Sequence, residues 1–251
     1  MSRQVNPAAD TQSGQAAVEA ALTLPLTLFL VLGTLQFFLL LQARTLAEYA
    51  AFRAVRTGSV KHGDCTAMTH AAIAALLPTF ARTDSPAALG RAFGVHNDNR
   101  YHGSGHTGPI VWLTRERPLR GGIAGNEEES FDDPRRYDGG VNTVMRLESR
   151  LIFWYPMRIP FANWVLNRMF LARWGLRAYA AHNPLLLTET ANWNERTSPG
   201  FDGAIVGEML SRSNQGEYVF PLQATYSMRM MTPARRTYFQ TQNCAPTPEG
   251  L

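Results

Sequence analysis

The sequence predicts an α+β protein in which one long N-terminal helix precedes a domain of shorter helices and a small antiparallel sheet. A run of 22 uncharged residues, 20–41, predicts the helix. Two segments that alternate apolar and polar residues, 143–155 and 218–231, predict the sheet. The composition, with 45% hydrophobic and 18% charged residues, excludes a disordered chain and a polytopic membrane protein.

The first predicted element is a single helix over residues 15–57. Its uncharged run would span roughly 33 Å, which is enough to cross the hydrocarbon core of a bilayer. Pro25 and Gly33 lie within this run, and membrane-spanning helices tolerate both residue types. Residues 45–57 continue without Gly or Pro, and Gly58 stands where a helix commonly ends. The sequence therefore predicts one transmembrane span at 20–41, in the N-terminal (lower) part of a longer helix.

A removable secretory signal is the alternative interpretation of this segment. Such a signal has an apolar core of about 7 to 15 residues behind a basic stretch. Here the uncharged run has 22 residues, and Arg3 is the only basic side chain before it. The length favours a retained anchor, and a secreted soluble protein with an over-long signal remains the alternative.

Glu19 lies at the edge of the apolar run. A carboxylate near hydrocarbon depth costs about 2 to 3 kcal/mol unless it is paired. The residue either marks the headgroup boundary that ends the span or is a functional residue, as charged residues at this depth usually are. Gly14 and Gln15 stand shortly before it.

These residues resemble the start of the TadE-like family, the minor pseudopilins of the tight-adherence (Flp) pilus assembly system. The shared features, in order, are Gly14, Val18 followed by Glu19, Pro25 and the long apolar run. The resemblance covers about the first 60 residues. It implies that a prepilin peptidase removes a leader, residues 1–14. It also implies that Glu19 pairs with the new amino group on Gln15 of a neighbouring subunit.

The resemblance further implies a pilin-like domain at residues 58–251, outside the cytoplasm, on a single-pass protein of the bacterial inner membrane. The implied partners are the peptidase, other pseudopilins, the major pilin, the inner-membrane platform protein and membrane lipid. Assembly is expected rather than catalysis, with no cofactor, nucleic acid or small-molecule substrate. Whether the subunit enters the fibre or only primes it stays open.

The charges around the span point to the opposite orientation. Four basic residues follow the span, namely Arg44, Arg53, Arg56 and Lys61. The positive-inside rule would place them in the cytoplasm. The expected orientation follows the resemblance, because the charge rule is a tendency and not a barrier.

Two helices are expected at the start of the domain. Residues 64–82 have helical spacing, with Asp64 as the cap and Pro78 as a kink or end. A short helix begins at Asp84 or Ser85, with Pro86 in its first turn. Residues 94–142 hold 9 of the 20 glycines and read mainly as an exposed loop. A short strand at 110–114 is a further prediction within that region.

The two predicted strands, 143–155 and 218–231, are expected to form an antiparallel pair with one solvated side. Residues 159–177, which lie between them, are rich in aromatics and carry arginines at 168, 173 and 177. One interpretation is a core helix that covers the sheet. The other is a helix in the membrane interface, with Trp164, Phe170 and Trp174 among the headgroups.

Cys65 and Cys244 are the only cysteines. If the domain lies outside the cytoplasm, a disulfide between them would persist. It would close a loop of about 180 residues, for which chain entropy predicts several kcal/mol of stabilisation. Two separate thiols are the alternative.

Three histidines, His96, His102 and His106, lie within eleven residues. Together with Asp98 they could bind a metal ion. The alternative function is therefore a membrane-anchored extracytoplasmic enzyme or a metal-binding protein that uses these histidines. The histidines lie in a glycine-rich segment without an H-E-x-x-H motif or neighbouring cysteines, so no metal site is predicted. The sequence also contains no G-x-S-x-G, phosphate-loop or dinucleotide-binding motif, so no cofactor or catalytic residue is predicted.

Overall fold

The computed structural model describes residues 10–103, 105–123, 146–173, 203–249 and 251. Within these residues the helices are α1 (Asp10–Val60), α2 (Cys65–Phe80), α3 (Pro86–His96), α4 (Ala162–Arg173) and α5 (Gly203–Asn214). The strands are β1 (Val111–Arg117), β2 (Arg146–Pro156), β3 (Val219–Arg229) and β4 (Asn243–Cys244). The predicted α+β class, with a long N-terminal helix and a small antiparallel sheet, is confirmed.

The sheet has the strand order β3-β2-β1-β4, and every pairing is antiparallel. Strands β2 and β3 pair along their whole length, from Arg146 opposite Arg229 to Pro156 opposite Val219. These strands are the two alternating segments of the sequence. Strand β1 lies between β2 and the two-residue strand β4. It is longer than the predicted strand at 110–114 and extends to Arg117.

Helix α1 is longer than predicted at both ends. It begins at Asp10 rather than at 15, and it includes Gly14. A glycine in an exposed helix costs about 1 kcal/mol relative to alanine, which does not end a long helix. At the other end α1 continues to Val60, where the prediction had residue 57.

Gly58 lies inside α1 and does not end it. The absence of a side chain at this position lets Met68 and Leu147 pack closely against the helix. A Cβ at this position would lie 2.6 Å from Sδ of Met68 and 2.7 Å from Cδ2 of Leu147. The helix ends at Val60 instead. The chain turns away just beyond it, at His62 and Gly63, which have φ angles of 56° and 79°. The Gly63 N–H donates to the Gly58 carbonyl at 2.8 Å, a bond typical of a helix end in the left-handed conformation.

Helices α2 and α3 begin where their caps predict. The Asp64 carboxylate accepts from the Thr66 N–H at 3.1 Å, and α2 ends two residues after Pro78. The Ser85 hydroxyl accepts from the Ala88 N–H at 3.2 Å, with Pro86 as the first residue of α3.

The core lies between the upper half of α1, helix α2 and the sheet. A stripe of small residues on α1 faces it, namely Ala43, Ala47, Ala50, Ala51 and Ala54. These residues let α2 and the strands approach the α1 backbone closely.

The prediction of one solvated side holds only for the first part of β2. Residues 146–150 alternate between buried and more exposed, but residues 151–156 are all buried. Trp154 is covered by the Arg212 guanidinium from α5 at 5.0 Å and by the Trp112 ring at 4.9 Å. Helix α5, which the sequence analysis did not predict, therefore closes the second face.

Helix α4 forms within the predicted range 159–177. The end of that range, including Trp174 and Arg177, lies outside the described residues. The same holds for residues 1–9 of the expected leader, for residue 104 and residues 124–142 of the glycine-rich region, and for residues 143–145 of the predicted strand.

Candidate functional site

The lower half of α1 presents an apolar surface that the domain does not cover. Its exposed large side chains are Val18, Leu22, Leu24, Leu26, Leu28, Leu30, Val31, Leu35, Phe37, Phe38, Leu39 and Leu41. Within the described part of the chain, this is the one helix long and apolar enough to cross a membrane, and 11% of its most apolar window is buried. The core helix of a soluble protein would be mostly buried. A retained anchor and a signal sequence both have this character.

The hydroxyl groups in the apolar stretch are satisfied by the helix itself. The Thr23 hydroxyl donates to the Glu19 carbonyl at 2.9 Å, and Thr34 donates to the Leu30 carbonyl at 2.7 Å. Thr27 makes the same kind of bond to Leu24 at 2.9 Å. Polar side chains that bond to their own helix are compatible with a lipid environment.

The three residues predicted for processing and assembly lie near the start of α1. The peptide bond between Gly14 and Gln15 is inside the helix, and Gly14 is exposed, with open space around the position that a Cβ would take. Glu19 is also exposed. Within the described residues, no basic side chain lies at ion-pair distance from the Glu19 carboxylate. The carboxylate is therefore accessible to a group from another chain.

The domain reaches α1 inside the apolar stretch, at Phe29 and Gln36. Gln36 is fully buried, and its Oε1 accepts a hydrogen bond from the Ile159 N–H at 3.0 Å. The Phe29 and Phe161 rings meet edge to face at 6.0 Å. Burial raises the pKa of Tyr155, while a hydrogen bond with Gln36 acts in the opposite direction. Sequence reasoning missed Gln36, although it is the only amide side chain in residues 20–41.

The start of α2, just after the end of α1, is covalently linked to the C-terminal segment. Cys65 and Cys244 are joined by a disulfide, with their Sγ atoms 2.00 Å apart. Buried Arg115 lies nearby and donates to the carbonyls of Gly63 at 2.6 Å and Tyr238 at 2.8 Å. Its guanidinium also packs over a buried aromatic ring, that of Phe239, at 4.0 Å.

Burial lowers the pKa of Arg115 to about 10, and Asp64 acts in the opposite direction. The group therefore keeps its charge at neutral pH and serves as a multiple hydrogen-bond donor. Sequence reasoning missed this role. Nothing in the alternating pattern of β1 distinguishes a buried arginine from a solvated one.

The three candidate metal ligands have other partners in the structure. Nδ1 of His96 lies 2.9 Å from the Arg100 carbonyl, and Nε2 of His102 lies 2.8 Å from a carboxylate oxygen of Asp98. The His106 ring is 6.1 Å from that of Tyr101. No group of three His, Cys, Asp or Glu side chains among the described residues could bind a metal ion. The described residues therefore contain no ligand set for the metal-dependent alternative.

Comparison with known proteins agrees with the N-terminal pattern. The family model described as TadE-like protein matches residues 14–56. No curated protein and no solved structure matches the chain. The matched range starts at Gly14, includes Glu19 and Pro25, and ends within α1. Residues 14–56 are therefore similar to the TadE-like family, as the sequence pattern indicates.

Proposed function

We propose that this protein is a minor pseudopilin-like assembly component of a tight-adherence (Flp) pilus or a related secretion machine. It is inserted in the bacterial inner membrane through α1, with residues 58–251 outside the cytoplasm. It acts by assembly rather than by catalysis. The observation that carries the proposal is the TadE-like match, which begins at Gly14 and covers the exposed apolar stretch of α1.

A retained anchor is supported by the contacts between α1 and the domain. Removal of the apolar run as a secretory signal would also remove Gln36. The buried amide side chain would then be lost as the acceptor for the Ile159 N–H. It would also remove Phe29 from its contact with Phe161. Contacts of this kind favour a helix that stays attached to the mature domain.

Processing after Gly14 would create a positively charged amino group that can pair with the Glu19 carboxylate. Cleavage by a prepilin peptidase removes residues 1–14 and creates an α-amino group on Gln15. In a bundle of subunits, the Glu19 carboxylate of one subunit pairs with this group of a neighbour. Opposite charges attract more strongly in a low-dielectric environment than in water, so the pair sets the register between sister helices. The accessible position of Glu19 on α1 is consistent with this role.

The exposed apolar surface of α1 serves two partners in turn. It contacts lipid before assembly and the helices of sister subunits afterwards. The remaining partners are the peptidase, other pseudopilins, the major pilin and the inner-membrane platform protein. The disulfide between Cys65 and Cys244 supports an extracytoplasmic domain, because such bonds persist outside the reducing cytoplasm.

The proposal is tested by the mass of the N-terminal peptide from membranes of the native host. We expect a peptide that starts at Gln15, either free or cyclised to pyroglutamate. A Gly14→Leu variant should keep the leader, and Gly90→Leu, at an exposed position of α3 with open space around it, is the matched control. A wild-type peptide that retains Met1 or Ser2 would contradict processing. Release of the protein by carbonate washing would contradict the anchor.

A further inference from the structure

Helix α4 presents mostly apolar side chains on its outer face as well as on its inner face. Its inner face buries Leu166 and Leu171 in the domain. Its outer face presents Trp164, Val165, Arg168, Met169 and Ala172, and Phe161 stands just before the helix. Trp164 is 46% exposed, Met169 is 57% exposed and Phe161 is 48% exposed. A surface helix of a soluble domain normally presents polar residues outward, so this outer face indicates a partner.

The contacts with α1 place this face beside the apolar stretch. Phe161 contacts Phe29, and Ile159 donates to Gln36. At the same level α1 exposes other apolar side chains, such as Leu30 and Phe37. The outer face of α4 is therefore continuous with the surface by which α1 is proposed to enter lipid.

The helix length shows which part of the membrane this level corresponds to. From Glu19 to Gln36 α1 rises by about 26 Å, close to the roughly 30 Å of a hydrocarbon core. A span that continued to Leu41 would add about 8 Å. That addition would carry Ile159 well into the hydrocarbon. A span that ends near Gln36 leaves Ile159 at the headgroup boundary, and it places Phe161, which contacts Phe29 about 10 Å deeper on α1, in the outer hydrocarbon.

The charges next to the face fit anionic headgroups. Arg158 is exposed just before the turn that leads into α4, and Arg168 is partly exposed on the outer face. Tryptophan is the residue typical of a membrane interface, where its ring is buried and its N–H remains hydrated. Each basic residue near an anionic surface contributes attraction that neutral lipid does not provide.

We propose that α4 and residues 158–161 form a lipid-binding surface that rests at the boundary between the hydrocarbon and the headgroups of an anionic membrane. The surface lies beside the point where α1 leaves the hydrocarbon, and it fixes the height of the domain above the bilayer. The inference rests on the proposed membrane insertion of α1. It goes beyond that proposal because it assigns a second, peripheral membrane contact to the domain.

The test uses spin labels on the full chain, in vesicles of phosphatidylglycerol and phosphatidylethanolamine. Met169→Cys reports on α4, and Met231→Cys is the matched control. Met231 is 71% exposed, and its N–H donates to Ser59 near the upper end of α1 at 2.9 Å. A third label, at Val31→Cys, reports on the insertion of α1. Collisions with oxygen, which enters lipid, and with a water-soluble nickel complex distinguish the environments.

We expect the label at position 169 to lose most of its nickel accessibility relative to position 231 and to gain oxygen accessibility. Equal nickel accessibility at 169 and 231, with position 31 in lipid, would overturn the lipid-binding surface and leave the anchor intact. A label at 169 shielded from both reagents would show that protein covers α4 instead of lipid. Nickel accessibility at position 31 as well would overturn both the inference and the anchor.

Discussion

The side chain of Gln36 accepts a hydrogen bond from the backbone N–H of Ile159 at 3.0 Å, across 123 positions of the sequence. Gln36 is fully buried, although most of the apolar side chains around it on α1 are exposed. The bond therefore joins the apolar half of the helix to the turn that leads into α4. It also satisfies a backbone donor at the lower edge of the domain, where a lost partner is costly.

Replacing Gln36 by leucine should weaken this junction. The change leaves the Ile159 N–H without its acceptor, at a cost of about 1 to 3 kcal/mol. Amide hydrogen exchange in residues 157–163 should then become faster. Thr34→Val is the control, because the Thr34 hydroxyl bonds only within its own helix at Leu30. Unchanged exchange in the Gln36→Leu variant would contradict the role assigned to this bond.

Replacing Glu19 by alanine should leave membrane insertion intact and impair pilus assembly. The variant removes the carboxylate that is proposed to pair with Gln15 of a neighbour, and it makes the span more apolar. Carbonate extraction measures insertion, and electron microscopy of the host measures piliation. Glu48→Ala is the matched control, since Glu48 lies on the same helix above the apolar stretch and forms an exposed pair with Arg44. Normal piliation with Glu19→Ala would exclude the assembly role.

Removing the disulfide should destabilise the domain strongly. Cys65 and Cys244 are 179 positions apart, and chain entropy gives about 5 kcal/mol for a loop of that size as an upper value. The Cys65→Ser, Cys244→Ser double variant should therefore unfold at lower temperature than the wild type. A reducing agent should lower the wild-type Tm toward that of the variant and leave the variant unchanged. Identical melting of both proteins without reductant would show that the bond does not form.

Gly63→Ala should cost more stability than Gly216→Ala, although both glycines have a φ of 79°. The left-handed conformation alone costs about 1 kcal/mol in each variant. At position 63 the new Cβ would also lie 2.6 Å from Cζ of Phe239, a fully buried ring. Overpacking of this kind adds about 1 to 3 kcal/mol. No atom lies within 4 Å of the corresponding Cβ at position 216. Urea unfolding should separate the variants, and equal losses would contradict the packing argument.

The contribution of Tyr101 to the stability of the domain should fall as the pH rises above about 10, because burial raises the pKa of Tyr101. In the unfolded chain the phenol ionises near pH 10, whereas the folded protein keeps the proton. Above pH 10 the folded state therefore binds more protons than the unfolded chain. The stability that Tyr101 contributes is constant below that pH and is lost progressively above it.

Tyr101→Phe should remove this contribution, so above pH 10 the variant should gain stability relative to the wild type as the pH rises. The variant should also lose about 1 kcal/mol at neutral pH, since the Tyr101 hydroxyl donates to the Trp154 carbonyl at 2.6 Å. The lowered pKa of Arg115 acts with the opposite sign above pH 10, but it is common to both proteins and cancels in their difference. Urea unfolding at several pH values measures this dependence of stability on pH. Tyr49→Phe, at an exposed position, should leave the dependence as in the wild type.

The features that the sequence predicted correctly depend on local signals. The caps Asp64 and Ser85 act within three residues of their partners, and the alternation in β2 and β3 is a property of each strand. The apolar run of α1 is likewise visible in a short window. The predicted helix limits were less accurate, because Gly14 and Gly58 suggest breaks that the surrounding structure does not require.

The features that were missed depend on residues distant in the sequence. Gly58 is fixed by Met68 and Leu147, and Trp154 is covered on its second face by Arg212. Buried Arg115 bonds to carbonyls more than 50 positions away on one side and more than 120 on the other. A charged residue in an alternating strand reads as solvated, and only the assembled fold provides the carbonyl groups that hold it.

The continuity of α1 has a mechanical consequence. No linker separates the apolar half of the helix from the half that forms the core, and above Pro25 the helix contains no proline. The segment from Pro25 to Val60 is a rod of about 53 Å, so a tilt of about 10° at its base would move its upper end by about 9 Å. Because the C-terminal part of this segment packs in the core, the domain is expected to tilt together with the helix. A rotation imposed on the base of α1 would therefore move the end of the domain that carries the disulfide.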